Sequence, residues 1–244
     1  MTLKEIQSAP CLQEVPHPVP PGIGIAKQGR VVEYLNKVQE YMKKLSYNHT
    51  GTQIFETRPN SSMMTLMDTA KSMIREALPI KCMEAVVLSI YLTNGVPGLG
   101  RFTINFKSEL PVAAASGQKQ KQQQQQQDPR QQKRYFYHVV LGVTLGNKFG
   151  AMGLSRRSTL MDKPLTHLTL NSLVQEFDES YKNCGQRLIK VRIGNLVSHD
   201  TYSITPIPWK GITLYPRTEE EKDLKAKIDK YSKELKSYLR TNFR

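Results

Sequence analysis

The chain has 244 residues, 39% of them hydrophobic and 23% charged, and this balance is too apolar for a wholly disordered protein. Lys and Arg number 35 against 21 Asp and Glu, so the formal charge of +14 predicts an acidic partner: nucleic acid, an anionic membrane or an acidic protein segment. No apolar run reaches the roughly 18 residues of a membrane span, no signal peptide follows Met1, and three cysteines without metal-type spacing exclude a disulfide scaffold and predict a reducing compartment.

The first part of the chain predicts a leader followed by helices. Residues 1–29 are rich in Pro and Gly, which favours an extended or disordered leader. Apolar residues recur at helical spacing from about Arg30 to Leu45 and from about Met64 to Leu78, where Pro79 ends the pattern. A third helix is predicted from Cys82 to Thr93. It is apolar on nearly every face, so it should be central and buried.

The remainder of the chain predicts strands interrupted by a low-complexity insert. A short strand over 102–106 precedes a Gln-rich stretch, 108–133, which cannot form a core and should be a disordered loop. Tyr135–Leu145 and Lys148–Leu154 then read as a hairpin. The later predictions are a helix over 170–181, strands over 187–193 and 204–209, and a long C-terminal helix beginning at Thr218.

These elements predict an α+β fold in which a central helix packs on an antiparallel sheet, with N-terminal helices before it and a long C-terminal helix after it. We expect four parts, which are a leader over 1–29, a helical region over 30–80, a core of helix and sheet over 81–215, and a C-terminal helix over 216–244.

Cys82 is the first candidate for chemistry, because it opens the predicted central helix and follows Lys81. The positive end of the helix dipole and the neighbouring ammonium group both favour the thiolate, which is the nucleophilic form of cysteine. A cysteine beside an apolar run is nevertheless more often an inert core residue. On its own, the position of Cys82 therefore leaves both interpretations open.

The predicted hairpin supplies a second candidate, His138. A two-residue loop at Gly146-Asn147 fixes a register that places His138 opposite Ser155, and directly opposed residues point to the same face of a sheet. A hydroxyl group or a nearby backbone carbonyl can fix the tautomer and orientation of an imidazole. Without Cys82, His138 would more simply be a core histidine.

The three candidates together suggest a reaction class. A cysteine at a helix start, then a histidine on a strand, then an orienting group is the chain order of papain-like and transglutaminase-like thiol hydrolases. Lys81 precedes the thiol, and Arg156-Arg157 follows Ser155. Cations on both halves of such a site suggest an anionic substrate group close to the scissile bond, such as a C-terminal carboxylate.

Other interpretations of the same residues are weaker or remain as alternatives. The His199-Asp200 pair lies in a segment typical of a polar turn, and the His-Glu-x-x-His signature of zinc peptidases is missing, so neither a metal nor another cofactor is predicted. The alternative function is a non-catalytic basic adaptor for microtubules or nucleic acid. Charge is the main argument for it, because no nucleic-acid-binding motif is present.

Several ordered blocks of the sequence closely resemble the vasohibin family. The resemblance covers roughly residues 30–240, apart from the Gln-rich stretch. The blocks are Tyr47-Asn-His-Thr-Gly-Thr-Gln53, Glu76-Ala-Leu-Pro-Ile-Lys-Cys82, Tyr91-Leu-Thr-Asn94, His138-Val-Val-Leu-Gly142, Gly153-Leu-Ser-Arg-Arg157, Val197-Ser-His-Asp200 and the segment ending in Trp209.

The resemblance implies a tubulin tyrosine carboxypeptidase with a transglutaminase-like thiol protease fold, which removes the C-terminal tyrosine of α-tubulin. It implies the catalytic residues Cys82, His138 and Ser155, with a carbonyl near Leu160 as another group that orients the histidine. It also implies three substrate-binding residues, which are Tyr47, Lys81 and Arg156.

The resemblance further implies two protein partners, the acidic C-terminal tail of α-tubulin and the small vasohibin-binding protein, a helical chaperone. The expected location is the cytoplasm, on microtubules, although secretion is possible for the family. The chain departs from the family pattern at Tyr137, where a basic residue is usual, at Arg58-Pro59, where a lysine pair is usual, and in its shorter leader.

Overall fold

The computed structural model describes residues 17–111 and 134–242. Its centre is a six-stranded sheet in the order β4-β3-β2-β1-β5-β6, and every neighbouring pair is antiparallel. The strands are β1 (Leu99–Glu109), β2 (Tyr135–Leu145), β3 (Lys148–Met152), β4 (Lys163–His167), β5 (Arg187–Leu196) and β6 (Ile212–Leu214).

Six helices lie within the described residues, and they cover both faces of the sheet. They are α1 (Gly24–Lys27), α2 (Val31–Leu45), α3 (Met63–Glu76), α4 (Cys82–Leu92), α5 (Leu170–Asn183) and α6 (Glu221–Asn242). The fold is therefore α+β, as predicted, with a central helix on an antiparallel sheet.

The alternation of side chains along β1 and β2 divides the core into two layers. Val139 and Leu141 pack with α2, α3 and α4 on one face, whereas Val140, Ile104 and Phe106 pack with α5 and α6 on the other. Successive residues of a strand point to opposite faces, so one strand contributes to both layers. The even-numbered residues of β2, including His138, consequently belong to the face that carries α5.

The central helix α4 is buried because it has no polar face, as the sequence predicts. Most of its side chains from Glu84 to Leu92 are buried, and Ala85, Val86, Val87 and Leu88 are each 0% exposed. Its N-terminus is capped by the Glu84 carboxylate, which accepts a hydrogen bond from the backbone N–H of Lys81. The first turn of α4, including Cys82, is therefore rigidly placed against the sheet.

The opposite end of α4 is closed by Arg101, which is also 0% exposed. Its guanidinium donates to the carbonyl of Ile90 at 2.8 Å and to that of Ser198 at 2.6 Å. Burial lowers the pKa of Arg101 to about 9. A cation at a helix C-terminus complements the negative end of the helix dipole, so Arg101 joins α4 to the loop after β5.

The hairpin register is confirmed from Leu145↔Lys148 to Leu141↔Met152, and β1 is longer than the predicted 102–106. The strand predicted over 204–209 is wrong. Pro206 and Pro208 lack the N–H that a ladder needs, and the carbonyls of Ser203 and Thr205 instead accept hydrogen bonds from the first turn of α3. The strand that pairs with β5 at this edge of the sheet is instead β6, a few residues later in the chain.

Parts of the leader and the insert lie outside the described residues. Residues 1–16 of the predicted leader are not among those described, whereas α1 forms a short helix within the rest of it. Residues 112–133 of the predicted insert also lie outside, and Ser108 and Glu109 belong to β1. The C-terminal helix begins at Glu221, three residues after the predicted start.

Candidate active site

The Cys82 thiol lies at the first residue of α4 and is half-buried, in no disulfide. Burial raises the pKa of the thiol, and the backbone N–H groups of Val139, Met83 and Cys82 itself, which donate toward the sulfur, lower it. The nearby Glu84 carboxylate raises it further. Because Val139 directly follows His138, the sulfur lies beside the backbone of the predicted histidine.

The His138 imidazole is half-buried on β2, directly opposite Phe106 of β1. The two rings are nearly parallel, with centroids 6.3 Å apart and an interplanar angle of 17°. The His138 Nε2 atom lies 2.7 Å from the carbonyl oxygen of Leu160. Burial lowers the pKa of His138 to about 4, although the Leu160 carbonyl raises it. The ring is therefore neutral at pH 7, and the bond assigns its proton to Nε2.

The Cys82 thiol approaches β2 at the end of the strand that β3 leaves unpaired. The β2–β3 ladder ends at Leu141↔Met152, so β3 does not cover the Val139 end of β2. Cys82 belongs to the layer of α4 and His138 points to the layer of α5. The Val139 N–H is near enough to lower the pKa of the thiol, so the sulfur lies beside the strand that carries His138.

Ser155 and Leu160 are the two groups expected to orient His138, and the structure separates them. The described hydrogen bond of His138 is to the Leu160 carbonyl. Ser155 is buried, and its hydroxyl accepts a hydrogen bond from the backbone N–H of Arg157 at 3.3 Å. The ladder that would place Ser155 opposite His138 stops three residues earlier, so strand pairing does not bring these two side chains together.

The predicted substrate-binding residues lie close to one another at the start of α4. A parallel bridge between Tyr47 and Ile80 places Tyr47 beside the segment leading into α4, and Lys81 Nζ donates to the carbonyl of Gly51 at 3.2 Å. The Arg156 guanidinium lies 6.0 Å from the centre of the Tyr47 ring. Burial and the Cys82 charge raise the pKa of Tyr47, and Arg156 lowers it. The phenol is therefore protonated at neutral pH and can donate a hydrogen bond.

Two further residues shape the site without having been identified from the sequence. Glu84 is 0% exposed, and besides capping α4 it accepts a hydrogen bond from the Phe55 N–H at 3.1 Å, which ties the 49–57 loop to the helix. An acidic residue at the third helical position was the available signal. The Phe106 ring packs against the His138 ring, and only the register between β1 and β2 could have indicated this contact.

Two classes of site are not found among the residues described. Within 17–111 and 134–242, no group of three or more His, Cys, Asp and Glu side chains is arranged to hold a metal ion. Over the same ranges, no helix combines the length and apolar character needed to cross a bilayer.

Comparison with known proteins adds a family and a relative. The family model described as Vasohibin matches residues 1–114 and 128–236. Mouse (Mus musculus) "Tubulinyl-Tyr carboxypeptidase 1" is 41% identical over 206 residues, which are 84% of this chain and 49% of the mouse protein. The chain therefore spans about half the length of the curated relative that it matches.

Proposed function

The chain belongs to the vasohibin family, and on this premise we propose that it is a cysteine-type carboxypeptidase that removes the C-terminal tyrosine of α-tubulin. The name of the mouse relative supports this activity and substrate. We also propose that the α+β fold is of the papain-like or transglutaminase-like type. The position of a thiol at the start of the central helix, against an antiparallel sheet, supports that assignment.

The observation on which the proposal depends is that Cys82 lies next to β2, the strand that carries His138. The Val139 N–H lies close enough to the sulfur to lower the pKa of Cys82, and the Nε2 atom of the adjacent His138 lies 2.7 Å from the Leu160 carbonyl oxygen. This leaves Nδ1 as the ring nitrogen that can accept a proton from the thiol. A nucleophile, a base and a group that orients the base are the three parts that thiol hydrolysis needs.

Acylation begins with both groups neutral, since burial raises the pKa of Cys82 and lowers that of His138. His138 takes the thiol proton as the sulfur attacks the carbonyl carbon of the last peptide bond. Backbone N–H groups at the start of α4, and the protonated Tyr47 hydroxyl, stabilise the oxyanion. The imidazolium then donates its proton to the amine of the leaving tyrosine, and a thioester remains on Cys82.

Deacylation uses the same base in reverse. His138 removes a proton from a water molecule, which attacks the thioester carbonyl and restores the thiol. Ser155 is proposed as a third member of the catalytic group. Its burial beside the Arg157 N–H supports a role in shaping the loop that also supplies the Leu160 carbonyl.

The cationic side chains explain why a carboxypeptidase, rather than an endopeptidase, fits the site. Arg156 and Lys81 are proposed to bind the terminal carboxylate of the substrate, because guanidinium and ammonium groups form charge-assisted hydrogen bonds with carboxylates. A bound carboxylate would place the last peptide bond of the chain at the sulfur. Peptides with an amidated C-terminus should therefore be poor substrates.

The deciding experiment measures tyrosine released from a peptide with the sequence of the α-tubulin tail. We expect release by the natural chain and none by Cys82→Ala, with Cys184→Ala as the matched control because Cys184 is also half-buried and outside a disulfide. Equal release by the Cys82→Ala variant would overturn the proposal. The basic-adaptor alternative predicts binding of the tail without any release.

Partners and location follow from the same proposal. The α-tubulin tail is the proposed substrate, and the small vasohibin-binding protein is a proposed partner on the basis of the family alone. We propose that the protein acts in the cytoplasm on microtubules. A pull-down with the recombinant chaperone, followed by the release assay with and without it, tests the partner.

A further inference from the structure

The Gln39 side chain of α2 bonds both backbone groups of Gly153, the first residue after β3. Its side-chain Nε2 donates to the carbonyl of Gly153 at 2.8 Å, and its Oε1 accepts from the Gly153 N–H at 3.1 Å. This is the pair of bonds that a residue of a neighbouring strand would make. Gln39 is 5% exposed and Gly153 is also buried, so water does not replace these bonds.

The position of this contact matters because β3 ends at Met152, one residue earlier. The Gln39 amide binds Gly153 at the point where the β2–β3 ladder ends. Beyond this point β2 is unpaired on that edge, near the Cys82 sulfur. Gly153 lies close to its neighbours, since an added Cβ would lie 3.2 Å from Val140 Cγ1 and 3.3 Å from the Met161 carbonyl oxygen.

The same helix fixes the other end of the loop. Lys43, one helical turn after Gln39, places its ammonium 3.7 Å from a carboxylate oxygen of Asp162. Residues four apart lie on one face of a helix, so α2 touches the 153–162 segment at its first and last residues. Between these points lie Ser155, Arg156 and the Leu160 carbonyl.

We propose that Gln39 is a positioning residue for the carboxypeptidase site, acting through Gly153 to set the placement of Arg156 and of the Leu160 carbonyl. The proposal rests on the proposed function for the roles of those groups. Gln39 itself contacts neither the thiol nor the imidazole, so its effect on the reaction is indirect.

The first test is hydrogen–deuterium exchange of the full chain, which needs no activity. Gln39→Met keeps the length of the side chain and removes both hydrogen bonds. We expect exchange in the 153–162 segment to rise roughly tenfold, the equivalent of one lost hydrogen bond, with exchange in α4 unchanged. Asn36→Leu is the control, because it removes an exposed amide from the same helix.

The second test separates positioning from folding by the choice of substrate. We expect Gln39→Met to lower kcat/KM for a free-carboxylate peptide by up to about 100-fold, since small misplacements of binding groups cost this much. The preference for that peptide over its amidated form should fall toward that of Arg156→Ala. Adding Gln39→Met to Arg156→Ala should reduce the preference no further, because both act on one interaction.

If Gln39→Met does not fold, Gln39→Glu serves instead, since it keeps the acceptor for the Gly153 N–H and replaces the donor. Unchanged exchange over 153–162 in the variant that folds would overturn the inference, as would an unchanged substrate preference. Failure of the natural chain to release tyrosine would overturn the proposed function alone, and exchange would then decide the role of Gln39.

Discussion

The central helix α4 has a half-buried, neutral histidine near each end, His138 on the strand beside its first residue and His199 beyond its last. Burial lowers the pKa of each to about 4. The His199 ring is bonded through both nitrogens: Nδ1 accepts from the Gly95 N–H, and Nε2 lies 2.9 Å from the Leu99 carbonyl. The His138 ring is bonded through Nε2 alone among the residues that the structure describes.

This difference distinguishes a histidine that holds the fold from one that can exchange a proton. Saturating both nitrogens of His199 fixes the ring between α4, β1 and the loop after β5, and leaves it no acceptor for a substrate proton. His138 is hydrogen-bonded through Nε2 to the Leu160 carbonyl, and Nδ1 is the nitrogen that we propose exchanges a proton with the thiol. Two half-buried histidines with similarly lowered pKa values therefore differ in their hydrogen bonds, and on this difference we base the opposite roles that we propose for them.

The largest expected effect comes from replacing each histidine by glutamine in turn. His138→Gln should lower kcat by on the order of 100- to 10,000-fold, the contribution of a general base, while the melting temperature changes little. His199→Gln should lower the melting temperature and leave kcat of the folded protein unchanged. Calorimetry and tyrosine release measure the two effects. A large loss of kcat in His199→Gln would remove the distinction between the two ends.

The second effect is on stability against acid. The unfolded chain protonates each histidine near its ordinary pKa of 6.5, whereas the folded chain does so only near pH 4. As the pH falls from 6.5 to 4, the unfolded state binds more protons, so each histidine removes up to about 3 kcal/mol from the free energy of unfolding.

Urea unfolding between pH 7 and pH 4 tests this expectation. His199→Gln should remove the contribution of one histidine to the loss of unfolding free energy between pH 7 and pH 4. The double variant with His138→Gln should remove the contributions of both. If the slope is the same in the natural chain and in the double variant, folding lowers the pKa of neither ring, and the value of about 4 for both is wrong.

The sequence predicted the end of α4 that carries Cys82 better than the end that carries His199. Cys82, His138 and the cations near them could be proposed as site residues because a thiol at a helix start, a hairpin register and charge are local patterns. The approach of the thiol to the unpaired end of β2 could not be predicted in this way, since it depends on where the β3 ladder stops. Phe106 and Gln39 were missed because their roles arise from contacts between residues distant in the chain.

The fold shows the same division. The apolar run of α4 and the turn at Gly146-Asn147 fix local structure strongly, and both were predicted closely. The strand predicted over 204–209 failed because prolines there turn the chain toward α3 instead of the sheet. Arg101 gave no signal of its burial, since its partners are carbonyl groups that any residue carries.

The smallest expected effect concerns added salt, and it also distinguishes the two ends. Arg156 is exposed near the Tyr47 ring, whereas Arg101 is buried at the C-terminal end of α4. Salt screens exposed charges much more than buried ones, so KM for an acidic tail peptide should rise roughly threefold or more from about 50 to about 500 mM salt. The melting temperature should not fall in parallel, because the Arg101 hydrogen bonds are not screened.

A tail peptide with its glutamates replaced by glutamine is the control, and its KM should depend far less on salt. An equal salt dependence for both peptides would show that the charge of +14 does not act on the substrate.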